Sequence, residues 1–275
     1  MERIKEALER AREQRSDPFA RSGERVPQTR KREHSPASAP VEIVYTQTRQ
    51  LAIDPDHLRA NRVISSLTDP VAEPYKIPRT KVLQRMRANN WRSLAISSPT
   101  QGCGKTLTAV NLAISIAREV NQTVLLVDLD LKRPQVHRYL TSAEIPGISD
   151  YLVKDTPVSE LLINPKGMER LVVLPGHASL THSSEMLSSP RMVSLIGEMR
   201  SRYPSRLVIL DMPPILACDD VLAFSPYVDA VLLVAVDGET DQEDLTRATA
   251  LLDKMNLLGI VLNKSADRET SYYYY

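Results

Sequence analysis

The stretch that most constrains this chain is ten residues long, Ser97 to Thr106, and reads SSPTQGCGKT. The apolar segment Ser93-Leu94-Ala95-Ile96 leads into it, and a helical pattern with Leu107, Val110, Leu112, Ala113 and Ile116 follows. A strand, a tight loop and a helix in that order is the context a phosphate-binding loop needs. Gly102 and Gly104 let the backbone approach phosphate oxygens with no Cβ in the way. The loop N–H groups and the first turn of the helix then face the anion. In such a loop Lys105 reaches the β- and γ-phosphates and the Thr106 hydroxyl binds Mg²⁺. The glycine usual six residues before the lysine is Pro99 here, so the match is incomplete. The bland alternative, a glycine-containing turn between a strand and a helix, loses ground to two segments downstream.

Val124-Leu125-Leu126-Val127 is continuously apolar and ends in Asp128-Leu129-Asp130; Val208-Ile209-Leu210 ends in Asp211-Met212-Pro213-Pro214. Such runs fit parallel strands buried on both faces. Carboxylates at their C-terminal ends fall on the edge where open α/β sheets bind ligands. Three strand ends thus converge, one with phosphate donors and two with carboxylates for Mg²⁺. A single Asp after a strand is commonly a turn residue; two beside a Gly-Lys-Thr loop are harder to dismiss. Further periodicity predicts strands near 93–97, 123–128, 170–174, 206–211, 229–235 and 258–263, and helices over 105–119, 185–201 and 241–255. Alternating strands and helices imply right-handed βαβ units, an α/β fold with a mainly parallel sheet flanked by helices.

The chain of 275 residues accommodates one large α/β domain with appendages. A net charge of +1 argues against a nucleic-acid partner. Two cysteines, Cys103 and Cys218, make no disulfide framework, which implies a reducing, cytoplasmic compartment. No apolar run reaches the length of a membrane span, so membrane association would come through a partner or an amphipathic segment. Residues 1–15 read as an N-terminal amphipathic helix with Ile4, Ala7, Leu8 and Ala11 on one narrow face. Residues 16–40, polar and proline-rich, read as a disordered linker, and 41–68 as an extended arm packing onto a domain at 69–268. Within that domain Pro74 and Pro78 predict an irregular start before a helical stretch with Val82, Leu83 and Met86. Residues 269–275 form a tail ending in Tyr272, Tyr273, Tyr274 and Tyr275. A terminus is normally exposed, so these rings are either chance low complexity or substrates.

Taken together, these motifs resemble the bacterial tyrosine autokinases of polysaccharide synthesis and export, the BY-kinases, over roughly residues 70–275. The phosphate loop Ser98–Thr106, the second Walker-type motif Val127-Asp128-Leu129-Asp130-Leu131-Lys132-Arg133-Pro134, the Walker B motif Leu210–Pro214 and the tyrosine-rich terminus carry the likeness. Gly147–Leu152 and Ser184–Leu187 are similar to further family segments. The resemblance implies the P-loop NTPase fold and a protein-tyrosine kinase using ATP and Mg²⁺. It implies nucleotide contacts at Gly102, Cys103, Gly104, Lys105, Thr106, Leu107 and Asn263, with Thr106, Asp128 and Asp211 organising the metal. Lys105, Asp128, Asp130 and Asp211 would form the catalytic set, Asp130 acting on the attacking tyrosine hydroxyl. Tyr272–Tyr275 would be phosphorylated in trans within a homo-oligomeric ring joined through Glu73, Lys76 and Arg79. The new phosphates would be repelled by Asp128, Asp130 and Asp211. The arrangement resembles the free-standing form, held at the inner membrane by a separate membrane-spanning chain-length regulator.

The sequence departs from the family pattern at three points. Cys103 replaces an acidic residue, and Lys132 and Lys76 each replace an Arg. Pro78 would interrupt a regular helix at a cost of about 3 kcal/mol. Two readings compete. Partitioning- or positioning-type ATPases share the fold but carry a second lysine where Thr100 stands, and an assembly factor would use ATP only to set its oligomeric state.

Overall fold

The apolar runs of the sequence become neighbouring strands of one sheet. The computed structural model of the chain describes residues 48–66, 68–201 and 205–265. The expected helix over 1–15, the linker over 16–40, the first part of the arm and the tail with Tyr272–Tyr275 lie outside the described residues. In chain order the strands are β1 (Arg49–Leu51), β2 (Ser93–Ser97), β3 (Thr123–Asp128), β4 (Ile163–Pro165), β5 (Leu171–Leu174), β6 (Arg206–Asp211), β7 (Ala230–Val236) and β8 (Leu257–Asn263). The helices before β4 are α1 (Pro55–Ala60), α2 (Glu73–Ala88), α3 (Lys105–Ala117), α4 (Val136–Leu140), α5 (Ile148–Lys154) and α6 (Val158–Leu161). After β5 come α7 (Ser183–Leu187), α8 (Pro190–Ser201), α9 (Asp220–Phe224) and α10 (Gln242–Leu251).

The sheet runs β1-β4-β5-β3-β6-β2-β7-β8. Its pairs are parallel except β4–β5, which are antiparallel. The register sets Asp128 of β3 opposite Asp211 of β6, and Asp211 opposite Ile96 of β2. The three chemistry-bearing strand ends are therefore adjacent and level. Each apolar run feeds two cores, because successive side chains leave a strand on opposite faces. Leu94, Ile96, Val124 and Leu126 join the cluster that includes Val110 and Ile114 of α3. Ala95, Leu125 and Val127 join the cluster on the other face with Leu195, Ile196 and Phe224. Each fully buried leucine or isoleucine there contributes about 1.5–3 kcal/mol.

Two expectations about helices are corrected. The start of α2 is not irregular: the helix runs unbroken from Glu73 to Ala88 with Pro74 in its first turn and Pro78 inside. Pro78 deprives only the Pro74 carbonyl of its partner, and Pro74 is exposed, so water can serve that carbonyl. Val82, Leu83 and Met86, all beyond the proline, are buried and hold the helix against α3. The helix expected over 185–201 is two helices, α7 and α8. Pro190 cannot donate to the preceding turn and starts a new helix instead, with the Ser189 hydroxyl accepting from Met192 N–H at 3.2 Å.

The stretch before α2 adds β1 at the sheet edge through parallel pairing with β4, and then crosses α3. Val63 and Ile64 are fully buried there. Asn111 of α3, also fully buried, clamps the crossing. Its amide donates to the Arg62 carbonyl at 2.9 Å and its oxygen accepts from Ile64 N–H at 2.9 Å. Asn111→Ala removes both partners from two backbone groups. We expect a loss of about 2–4 kcal/mol, read as a lower urea midpoint with an unchanged denaturant slope.

Candidate active site

The loop between β2 and α3 is fastened to the segment after β6. Ser97 Oγ donates to the Pro213 carbonyl at 2.7 Å, Ile215 N–H to Ser98 O at 2.9 Å, and Leu216 N–H to Pro99 O at 3.2 Å. Pro99, which stands where the motif usually has glycine, thus serves as an anchor through its carbonyl. Gly102 and Gly104 take φ values of 82° and 84°, the left-handed region that favours glycine. Gly104 has a second reason to lack a side chain, since a Cβ there would lie 2.3 Å from Asn263 Nδ2. Asn263, the last residue of β8, donates from that nitrogen to the Cys103 carbonyl at 2.9 Å. α3 begins directly after the loop, with Gly104 at its N-cap and Lys105 as its first residue.

Lys105 is the centre of charge. Its Nζ lies 2.8 Å from Asp130 Oδ2, 3.5 Å from Asp211 Oδ1 and 3.2 Å from Thr106 Oγ1. Burial alone would depress its pKa, but Asp211 and Asp130 raise it well above the ordinary lysine value. Asp128 and Asp211 are both fully buried. Burial lifts the Asp128 carboxyl well above its ordinary range, and Asp211 beside it adds to the shift. Asp211 is raised too, by burial first, against the opposing pull of Lys105 and Thr106. The oxygens of Asp128 are already used, accepting from Val136 N–H at 2.9 Å and Asp130 N–H at 3.3 Å. Asp211 Oδ2 is buried with no hydrogen-bond partner. Asp130 accepts from Arg133 N–H at 3.0 Å through the oxygen not facing Lys105.

This donor set fits Mg²⁺, which takes hard oxygen ligands and usually needs one or two carboxylates besides phosphate and water. The orphaned oxygen of Asp211, next to the Thr106 hydroxyl, is where such an ion would be welcome. Asp128, with both oxygens on backbone N–H groups, sits one layer behind and holds the strand end in shape. Among the described residues no group of three or more His, Cys, Asp or Glu gathers to hold a metal alone.

A cleft of about 420 Å³ opens above these residues, with Gly102, Gly104, Lys105, Thr106, Asp130, Lys132 and Arg133 in its wall. A neighbouring cavity of about 790 Å³ takes in Tyr75, Leu107, Thr108 and Asn263. Leu107 and Asn263 thus belong beside the phosphate cleft, not in it. The Cys103 side chain is in neither wall: it is buried with its thiol 3.7 Å from Thr100 Oγ1 and 4.0 Å from Thr240 Oγ1. What Cys103 can offer a phosphate is its backbone. Glu73 and Lys76 pair with each other on the exposed first turns of α2, and Arg79 Nε lies 3.2 Å from Glu119. Neither group is brought into the phosphate cleft.

Three features escaped the sequence reading. Tyr139 of α4 lines both cavities; burial raises its pKa, helped by Asp211. Gly176, just after β5, packs under Asp128, for a Cβ there would lie 2.2 Å from Pro134 Cβ and 3.0 Å from Asp128 Oδ2. The adjoining His177 donates from Nδ1 to Asp150 Oδ2 at 2.6 Å. Burial alone would raise the Asp150 pKa, but Lys154, the Gly147 N–H and His177 bring it down to about 2. Nothing local marks these positions, since each depends on a loop meeting another element far away in sequence.

Comparison with known proteins adds four findings. A family model described as an AAA domain matches residues 91–258. Tyrosine-protein kinase YwqD of Bacillus subtilis is 31% identical, over 79% of this chain and 92% of its own length. The succinoglycan biosynthesis transport protein ExoP of Rhizobium meliloti is 28% identical over 77% of this chain, which spans 27% of ExoP. Among solved structures, the kinase domain of Escherichia coli tyrosine kinase ETK superposes with a TM-score of 0.67. It is 26% identical, covering 86% of this chain and 89% of that domain.

The raised carboxyl of Asp211 yields a stability prediction. A carboxyl whose pKa is higher folded than unfolded binds protons more tightly in the folded state, so stability falls as pH rises through that window. At neutral pH the wild type bears this cost and Asp211→Asn does not. We expect the nucleotide- and magnesium-free variant to melt a few degrees above wild type at pH 7. The gap should close as pH drops below the raised value. A lower midpoint for the variant at pH 7 would show instead that the pairing with Lys105 dominates.

Proposed function

The chain belongs to the bacterial tyrosine-protein kinases, on the P-loop NTPase fold, and we propose that it is an autokinase that uses ATP to phosphorylate Tyr272, Tyr273, Tyr274 and Tyr275 of a neighbouring copy. The observation that carries the reading is Lys105, shared between Asp130 at 2.8 Å and Asp211 at 3.5 Å on the strand-end edge. Phosphoryl transfer asks a protein for positioning and charge neutralisation more than for covalent help. The loop N–H groups and Lys105 bind and orient the triphosphate. As Lys105 turns its ammonium to the phosphates, Asp130 Oδ2 loses its partner and becomes a free acceptor. A tyrosine hydroxyl with a pKa near ~10 then donates its hydrogen bond to Asp130. The proton passes from the phenol oxygen to Asp130 Oδ2 as the phenol oxygen bonds to the γ-phosphorus and the bond from the γ-phosphorus to the β,γ-bridging oxygen breaks, releasing ADP. Arg133 N–H keeps the other oxygen of Asp130 in place throughout. Mg²⁺ supplies neutralisation of the β- and γ-phosphate charge when bound; Thr106 and Asp211 would hold it, with Asp128 ordering the ligands from behind.

We read the biological setting as exopolysaccharide synthesis or export. ExoP, a succinoglycan transport protein by name, supports this, as does the match of this chain to about a quarter of it. On this reading a separate membrane-spanning regulator supplies what the longer relatives carry in one polypeptide. The kinase then works at the cytoplasmic face of the inner membrane, in a ring of copies joined through Glu73, Lys76 and Arg79. No helix among the described residues is long and apolar enough to cross a membrane.

The test separates catalyst from acceptor. A Lys105→Met chain with its tail intact is mixed with an active chain whose Tyr272–Tyr275 are all Phe, in ATP and Mg²⁺. We expect phosphotyrosine on the Lys105→Met chain in the mixture and at least a hundredfold less on that chain alone. Absence of phosphate on the inactive chain, with concentration-independent phosphorylation of the wild type, would assign the reaction to a single copy.

A further inference from the structure

The wall of the phosphate cleft is not acidic. Three of its residues are cationic, Lys105, Lys132 and Arg133, against one carboxylate, Asp130, among the described residues. Lys105 and Asp130 answer each other at 2.8 Å. Asp128 and Asp211 lie beneath, fully buried. The expected repulsion of a phosphorylated tail by these three carboxylates is therefore not what the cleft offers at its mouth. Two cations there have no carboxylate of the wall to balance them.

Lys132 is held without being used up. Its Nζ is 3.9 Å from Asp220 Oδ1, close enough for attraction and too far for a hydrogen bond. Asp220 is fully buried at the start of α9, and its carboxylate oxygens have no hydrogen-bond partner. A buried carboxylate needs compensation, and the ammonium of Lys132 at 3.9 Å supplies charge to Asp220 beside the Cys218 thiol. In return, Asp220 fixes where that ammonium rests. The Lys132 side chain is 43% exposed, so its donors remain open to the cleft. Its backbone is fixed as well, with the Lys132 carbonyl accepting from Ser179 Oγ at 2.7 Å. Arg133 gives one donor to Gln101 Oε1 at 2.7 Å and has five in all.

We propose that Lys132, poised by Asp220, and Arg133 form an anion-reading rim on the acceptor side of the cleft. The rim favours a tyrosine with a phosphotyrosine two residues away in the chain, so phosphates already on the run Tyr272–Tyr275 speed the later ones. The inference rests on the reading of that run as the acceptor. With one phenol at Asp130, the side chain two residues along an extended chain leaves on the same face, ~7 Å away, toward the rim where Lys132 and Arg133 stand. A phosphotyrosine there brings about −1.5 to −2 charges and three acceptor oxygens. Lysine meets these as a point charge and arginine as a planar fork. The first phosphate is then the slow one and each later one is faster.

The experiment compares acceptor peptides of sequence 265–275, one unphosphorylated and others with a single phosphotyrosine in the run, using the full-length Lys105-intact kinase. The expected result is a kcat/KM about tenfold higher for a singly phosphorylated peptide, falling toward parity in Lys132→Gln and in Arg133→Gln. Raising ionic strength from about 0.05 to about 0.5 M shortens the Debye length and should shrink the preference in the wild type, an outcome that does not depend on a variant folding. Parity or a penalty in the wild type overturns the rim, as does a preference that survives Lys132→Gln or high salt. A Lys132→Gln loss equal for both peptides assigns the lysine to the nucleotide and overturns it too. Failure of every tail peptide, while a random glutamate–tyrosine copolymer is phosphorylated, overturns the reading of the tail itself.

Discussion

One ammonium group, Lys105 Nζ, is shared between the Asp130 and Asp211 carboxylates at the ends of adjacent parallel strands, and the architecture serves that arrangement. Burial pushes the carboxyls of Asp128 and Asp211 toward their neutral forms, and the ammonium of Lys105 pulls both back. The sheet brings them together by register, with Asp128, Asp211 and Ile96 level across β3, β6 and β2. It can do so because those strands are covered on both faces, so their positions are set by packing and not by the charges they carry. The cost of crowding carboxylates is thus met by apolar burial elsewhere in the strands. A nucleotide with its cation would relieve that cost, which ties affinity to the same strain.

How legible this was follows from where each signal lies. β2, β3 and β6 were readable because a fully buried parallel strand is a short apolar run with a polar end, and that end carried the chemistry. Lys105, Thr106, Asp128, Asp130 and Asp211 were readable for the same reason: each is adjacent in sequence to the strand that positions it. β1 and β4 were not, being only three residues each, too short for a periodicity. Tyr139, Asp220 and Gly176 were illegible because each acquires its role from a partner far along the chain. α2 was misread through its prolines, whose local penalty fell on an exposed turn while the buried residues lay beyond it.

The departures from the family pattern acquire physical meanings in the structure. Pro99 anchors the loop through its carbonyl. Cys103 turns its thiol inward against two threonine hydroxyls, so the position contributes backbone and packing in place of a charge. Lys132 is a compact cation where an arginine would have filled more of the same space, and its distance from Asp220 leaves it free to meet a second anion. These changes alter the rim of the site and leave its floor intact.

The sheet also sets where the segment after β8 begins. β8 ends at Asn263, whose amide holds the Cys103 carbonyl, so the segment leading to the tyrosines starts beside the chain's own phosphate loop. Along the order β8-β7-β2-β6-β3, four strand spacings of ~4.8 Å put the end of β3 roughly 19 Å away. Eight residues lie between Asn263 and Tyr272, and the nine steps at ~3.5 Å each reach at most ~31 Å. Length therefore does not forbid phosphorylation within one copy. What would oppose it is the path, because the direct route from β8 to Asp130 crosses the mouth of β2, where the loop stands and a triphosphate would bind. A tail from a neighbouring copy can approach from the β3 side, where Lys132 and Arg133 face outward, without crossing the nucleotide. The rim proposed above to read the phosphate would thus favour an acceptor arriving in trans.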